Sequence, residues 1–122
     1  MPTLLLVTDD LPAWTELKST LQREGYRLET ADCVASALEF AREEAVEMFV
    51  VSGKLKDLTP FDLLELRDLN KQTAPVKVLV FGADGKSLEL LEGGCDEVVS
   101  SKCSPKEVVL RISRLLKSSC PP

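Results

Sequence analysis

Four apolar runs end in residues that could do chemistry. Leu4-Leu5-Leu6-Val7 gives way to Thr8-Asp9-Asp10, and Met48-Phe49-Val50-Val51 to Ser52-Gly53. Val76 to Phe81 ends at Gly82, and Val98-Val99-Ser100 ends at Ser101-Lys102. Adjacent carboxylates at Asp9 and Asp10 offer hard oxygen ligands for a divalent cation. Two without a third make a weak site that leaves the ion most of its water. Asp10 could instead cap the helix that follows. Ser52 as a nucleophile would need a base; the chain has no histidine, and Lys102 would first have to lose its proton. The simpler reading of Ser52 is a small polar residue that fills space. Lys102 has two readings, a counter-ion for Asp9 or an exposed loop lysine. Gly82-Ala83-Asp84-Gly85 lacks the lysine-serine pair of a phosphate loop and reads as a turn.

The elements that must position these residues alternate strand and helix. The first strand, Leu4 to Val7, is apolar throughout, as expected for a strand covered on both faces. A helix from about Pro12 to Glu24 follows, with Trp14, Leu17 and Leu21 on one face and Gly25 as its stop. Tyr26 to Thr30 alternates like an edge strand. Asp32 is placed to cap a helix from about Cys33 to Glu44 that turns Val34, Ala37, Leu38 and Ala41 inward. The strand from about Glu47 to Ser52 is the central one. Thr59-Pro60 opens a helix from Phe61 to about Asn70, with Phe61, Leu63, Leu64 and Leu66 as inward candidates. A fourth strand, Val76 to Phe81, precedes a short helix, Lys86 to Glu92. A fifth strand, Asp96 to Ser100, precedes a helix announced by Ser104-Pro105-Lys106-Glu107. That helix carries Val108, Val109, Ile112, Leu115 and Leu116 on one face. The crossovers are of helix length, so the sheet is expected to be parallel with helices on both faces. Sites in such sheets lie at the carboxyl ends of the strands, which brings Thr8, Asp9, Asp10, Ser52, Gly82, Ser101 and Lys102 to one place.

Composition narrows the function classes. The chain has 122 residues, 44% of them apolar, and a net charge of −5, which fits a single α/β domain over residues 1–117 with 118–122 as a tail or the start of a linker. No segment gathers Lys and Arg away from Asp and Glu, so neither nucleic acid nor an anionic membrane is an expected direct partner. No apolar run approaches the roughly 20 residues of a membrane span. Cys33, Cys95, Cys103 and Cys120 form no CxxC pair, which argues against zinc and for reduced thiols in the cytoplasm. The cysteines are most simply filler, although Cys103, near the polar clusters, and Cys120, in the tail, are where oxidation is possible.

Taken in order, several short features make the chain resemble a bacterial response-regulator receiver domain. They are Val7-Thr8-Asp9-Asp10, Glu24-Gly25-Tyr26, Phe49-Val50-Val51, Pro75-Val76, Gly94-Cys95-Asp96-Glu97 and Ser104-Pro105-Lys106-Glu107. The resemblance implies a doubly wound (βα)₅, flavodoxin-like sheet of strand order 2-1-3-4-5, and a non-enzymatic signalling role. It also implies a working set: two acids after the first strand for Mg²⁺, an acceptor aspartate after the third, a Ser or Thr after the fourth and a lysine after the fifth. Only a carboxylate forms the acyl phosphate. On this chain the acids fall on Thr8 and Asp9, with Asp10 next. The acceptor position falls on Ser52, the hydroxyl on Gly82, and the lysine on Ser101 with Lys102 one place on. The aromatic expected in the fifth strand falls on Val98. The segment from Ala83 to Gly94 is about one helical turn short.

The resemblance therefore implies a degenerate pseudo-receiver, in which Ser52 is not phosphorylated and the pocket is vestigial. No cofactor is expected beyond weakly held Mg²⁺ on Asp9 and Asp10. Such a domain would act by protein contact through Lys86 to Leu116, its partner a kinase, an output domain or a second copy. Two alternatives stand beside it. One is a phosphorelay receiver whose acceptor has moved to Asp57. The other is a small-molecule binder on a flavodoxin-like scaffold, although Thr8-Asp9-Asp10-Leu11-Pro12 lacks the length and hydroxyls of a flavin loop.

Overall fold

The computed structural model describes residues 2–53, 55, 59–82 and 85–118. Five strands form one parallel sheet: β1 (Thr3–Val7), β2 (Arg27–Ala31), β3 (Met48–Ser52), β4 (Lys77–Phe81) and β5 (Glu97–Val99). Their order is β2-β1-β3-β4-β5, as the sequence led us to expect. The helices are α1 (Thr15–Arg23), α2 (Val34–Glu43), α3 (Pro60–Asp68), α4 (Ser87–Glu92) and α5 (Pro105–Ser118).

Alternation along the strands divides the core in two. Leu5, Val7, Phe49, Val51, Val78 and Val80 face α2, α3 and α4. Leu4, Leu6, Met48, Val50 and Leu79 face the opposite side, where Trp14, Leu17, Leu21, Val108, Val109 and Ile112 cover them. Strands buried on both faces must be apolar at every position, which is why the runs Leu4–Val7 and Met48–Val51 do not alternate. Burying one such side chain, Phe49 for example, stabilises the fold by roughly 1.5–3 kcal/mol.

Local chemistry departs from the sequence expectations at four places. Asp10 does not cap α1: the chain first makes a 3-10 turn over Leu11–Trp14, and the Asp10 side chain makes no capping bond. Cys33, not Asp32, is the N-cap of α2, its sulfur accepting from the Ser36 N–H at 3.5 Å. In α3 the inward set is Pro60, Leu63, Leu64 and Arg67, and Leu66 points out. The last helix, α5, includes Ser118, one residue beyond the expected domain end at 117. By contrast, Thr59 and Asp62 form a full capping box at α3, with reciprocal bonds of 3.2 and 2.9 Å.

Candidate functional site at the carboxyl edge of the sheet

Register brings the polar clusters together. Val7 pairs with Val51, Ser52 with Phe81, and Phe81 with Val99. The first backbone group beyond each strand is then tied sideways. Thr8 N–H donates to Ala31 O at 3.0 Å, Gly53 N–H to Phe81 O at 2.9 Å, and Gly82 N–H to Val99 O at 2.8 Å. Together with the Val7–Val51 pairing of β1 and β3, these bonds hold the exits side by side, so Thr8, Ser52, Gly82 and Ser101 line one edge.

Within that edge the residues differ in environment. Thr8 is buried, 4% exposed, and its hydroxyl accepts the Asp10 N–H at 3.1 Å. That local turn directs Asp9 and Asp10 to the surface, where both are exposed. Ser52 is half-buried. Gly82 is buried with φ +86°, and a Cβ placed on it would lie 3.6 Å from the Ser101 Cβ. Space is therefore available there, but the backbone is in the left-handed region that an L side chain avoids. Lys102 is exposed, its N–H donating to Ser100 Oγ at 3.1 Å. Among the described residues no ion pair joins Lys102 to Asp9, so the exposed-lysine reading is the one the geometry favours.

Beside the edge lies a cleft of about 350 Å³ lined by Trp14, Leu17, Phe81, Ser101, Cys103 and Val108. Its floor is a T-shaped aromatic pair, Trp14 on Phe81, with centroids 5.6 Å apart. Cys103 is a free thiol whose hydrogen bond with Glu107 holds it above the ordinary thiol value, with burial adding to the effect. The expectation that Cys103 is oxidation-prone is thereby weakened, because the thiolate is the reactive form. Cys95 is pushed up to about 11 by burial.

No family model matches the chain. Over 118 residues it is 32% identical to the probable transcriptional regulatory protein TcrX of Mycobacterium tuberculosis, covering 95% of this chain and 50% of that protein. It is 28% identical to the non-phosphorylated HemR receiver domain of Leptospira biflexa, with a TM-score of 0.84 over 100% of this chain and 99% of the other. Over nearly its whole length the chain is similar to response-regulator receiver domains, and it has their fold. A response regulator from Desulfuromonas acetoxidans, 21% identical, shares the fold with a TM-score of 0.89 over 98% of this chain and 100% of that one. The chain spans about half the length of the curated relatives it matches.

Several sequence candidates fall outside the described residues: Asp57, Ala83, Asp84 and Cys120. Among the described residues, no group of three or more His, Cys, Asp or Glu side chains is placed to hold a metal, and no helix is long and apolar enough to cross a membrane.

Sequence reasoning also missed a buried polar cluster at the opposite edge of the sheet. Arg67, 8% exposed, donates from Nη1 to Val76 O at 3.1 Å and from Nε to Asp68 at 3.2 Å. Asp96 lies 4.0 Å from the guanidinium and accepts the Val78 N–H at 2.8 Å. Buried Thr73 donates to Arg67 O at 2.6 Å. The signal was the helical step Pro60, Leu63-Leu64, Arg67, which puts an arginine on the inward stripe.

Proposed function

We propose that this receiver domain has lost the aspartyl-phosphate switch and signals by protein contact. The observation that carries the reading is Ser52 at the end of β3, beside Phe81 and Gly82. An acyl phosphate needs a carboxylate there, and a serine hydroxyl without a base is a poor substitute. The second support is Gly82, whose left-handed backbone offers no side-chain hydroxyl to a phosphoryl oxygen. Mg²⁺ would have Asp9 and Asp10 as its carboxylates and a neutral serine opposite. That donor set does not match a site built from several carboxylates, so any Mg²⁺ is held weakly and no step is routed through it.

The contact surface in this reading is the face of α4, β5 and α5, from Lys86 to Leu116. Leu88, Leu91 and Leu110 are exposed on these helices. Arg111 bridges the strand and the helix, 3.2 Å from Glu97 and 4.0 Å from Glu107. Exposed leucines rimmed by paired charges suit a protein partner. That partner is a kinase, an output domain or another copy, in the cytoplasm where such regulators work.

The test is an amide NMR spectrum titrated with Mg²⁺ and then with beryllofluoride, which stands in for a phosphoryl group. The expected result is no shift beyond the immediate neighbours of Asp9 and Asp10. Shifts that spread from Ser52 to α5 on adding beryllofluoride would overturn the reading.

A further inference from the structure

The cleft beside the carboxyl edge has a lining that the signalling role does not use. The Leu11–Trp14 turn and the start of α1 supply Ala13, Trp14, Glu16 and Leu17, and α5 supplies Pro105 and Val108. Phe81 at the end of β4, with Ser101 and Cys103 after β5, completes it. Trp14, Leu17 and Val108 belong to the buried core under α1 and α5, so these walls are fixed by packing. Six of the nine lining residues are apolar, and Glu16, Ser101 and Cys103 carry polar groups. An apolar cavity with a few polar groups is the make-up of a small-molecule site, and about 350 Å³ falls at the lower end of the roughly 300–1,000 Å³ such sites span.

Shape and charge narrow the occupant. A docked helix is about 10 Å across and needs apolar anchors over two or more turns. The apolar lining here does not continue along the helices: the next hollow between α1 and α5 is lined by Thr20, Arg23, Glu24, Lys106 and Val109. A compact molecule fits the cleft better than a segment of protein. Glu16 is the charged residue in the lining. Around it, Asp9, Asp10 and Lys18 neighbour the α1 side, and Lys102, Lys106 and Glu107 the α5 side. Glu107 is engaged with Cys103 and lies 4.0 Å from Arg111. Both signs stand on both sides, so the mouth favours neither an anion nor a cation. The walls do select: Trp14 and Phe81 cross at 74° with centroids 5.6 Å apart, and a flat ring extends such a pair by offset or edge-to-face contact.

We propose that this cleft binds a small neutral aromatic molecule of one or two rings, its ring against Trp14 and Phe81 and its polar group toward Ser101 and Cys103. Such a ligand touches the residues that order the carboxyl edge. Phe81 pairs with Ser52 on one side and Val99 on the other, and a Cβ at position 82 would lie 3.6 Å from the Ser101 Cβ. Occupancy is therefore felt at the exits of β3, β4 and β5 and at the start of α5, with no phosphoryl transfer. Binding here does not depend on whether Ser52 can accept a phosphoryl group.

The experiment is an NMR titration of the full chain with indole, and with benzoate and benzylamine as an anion and a cation of similar size. Trp14 is the chain's one tryptophan, so its side-chain Nε1–H gives a single peak from the cleft wall. Indole is expected to shift that peak and the amides of Ser101 and Cys103 saturably, with a Kd in the millimolar range or tighter. It should bind at least about threefold tighter than either charged ring. Ala13 is exposed at the rim, and Ala13→Phe should fill the cleft and weaken binding about tenfold or more. Ser101→Ala, which removes one neutral hydrogen-bonding group, should weaken it about two- to tenfold. Glu16→Gln, and Ser19→Phe on the exposed side of α1, should leave it unchanged. Circular dichroism checks that each variant folds. Shifts that stay linear up to the solubility of indole, or binding that survives both Ala13→Phe and Ser101→Ala, would overturn the proposal. So would benzoate or benzylamine binding as tightly as indole, or loss of binding in Glu16→Gln or Ser19→Phe.

Discussion

Replacing Gly82 with alanine tests the geometry on which the site depends. Gly82 has φ +86° and its N–H donates to Val99 O at 2.8 Å. A methyl group there meets only the Ser101 Cβ, at 3.6 Å, an ordinary contact. The cost is therefore in the backbone, at about 1–2 kcal/mol for an L residue held left-handed. The chain can escape by rotating φ, but it then loses the bond to Val99, worth about 0.5–1.5 kcal/mol. The cheaper route sets the loss, so stability falls by roughly 0.5–1.5 kcal/mol, or about 2–8 °C in melting temperature for a domain of this size. Two other glycines calibrate the measurement. Gly25 has φ +92° with nothing within 4 Å of an added Cβ, so Gly25→Ala isolates the backbone term. Gly93 has φ −79°, and Gly93→Ala should fall within about 0.5 kcal/mol of wild type. Thermal denaturation of the three variants is the assay. If Gly82→Ala melts with Gly93→Ala rather than with Gly25→Ala, the left-handed turn is not enforced and the argument about this position fails.

Arg67→Met keeps most of the buried stem but leaves Val76 O without its donor. It should cost about 1–3 kcal/mol in urea unfolding, at the low end because Asp68 and Asp96 still reach water. A variant as stable as wild type would show that the cluster is dispensable. Glu107→Gln removes the carboxylate that holds the Cys103 thiol up, so the thiolate fraction at pH 8 rises. Alkylation of Cys103 by iodoacetamide, read by mass spectrometry, should quicken in that variant, while buried Cys95 stays unmodified in the folded protein. An unchanged Cys103 rate would remove Glu107 as the cause.

What was legible in the sequence followed from periodicity. Unbroken apolar runs such as Leu4–Val7 and Phe49–Val51 require burial on both faces, and helix-length connections between them require a parallel sheet. The gathering of Thr8, Ser52, Gly82 and Ser101 at one edge then follows from topology alone. Decisions between similar neighbours were not legible. Asp10 and Asp32 have the right chemistry for caps, yet the Leu11–Trp14 turn and Cys33 took those places. Leu66 and Arg67 compete for one inward position, and hydrophobicity alone chooses the leucine. The arginine is buried because Val76 O and the nearby carboxylates satisfy it. The left-handed turn at Gly82 is also beyond composition, since glycine permits such a φ without demanding it.

The residues at the carboxyl edge are physically coupled, which, on the proposed reading, bears on whether single substitutions could give this edge an aspartyl-phosphate switch. A hydroxyl at position 82 needs a residue with a Cβ, and that residue disfavours the φ of +86°. Rotating the backbone to relieve it disturbs the N–H bond to Val99, which ties the exits of β4 and β5 together. Ser101, two residues beyond Val99, sits against position 82 and depends on that bond for its place. A carboxylate at position 52 alone would join an edge that already carries two exposed acids, Asp9 and Asp10. Unless a cation were bound, it would add like-charge repulsion. On the proposed reading, an acceptor carboxylate and a hydroxyl would have to be introduced together, with a rebuilt turn after β4, for the edge to hold a phosphoryl group.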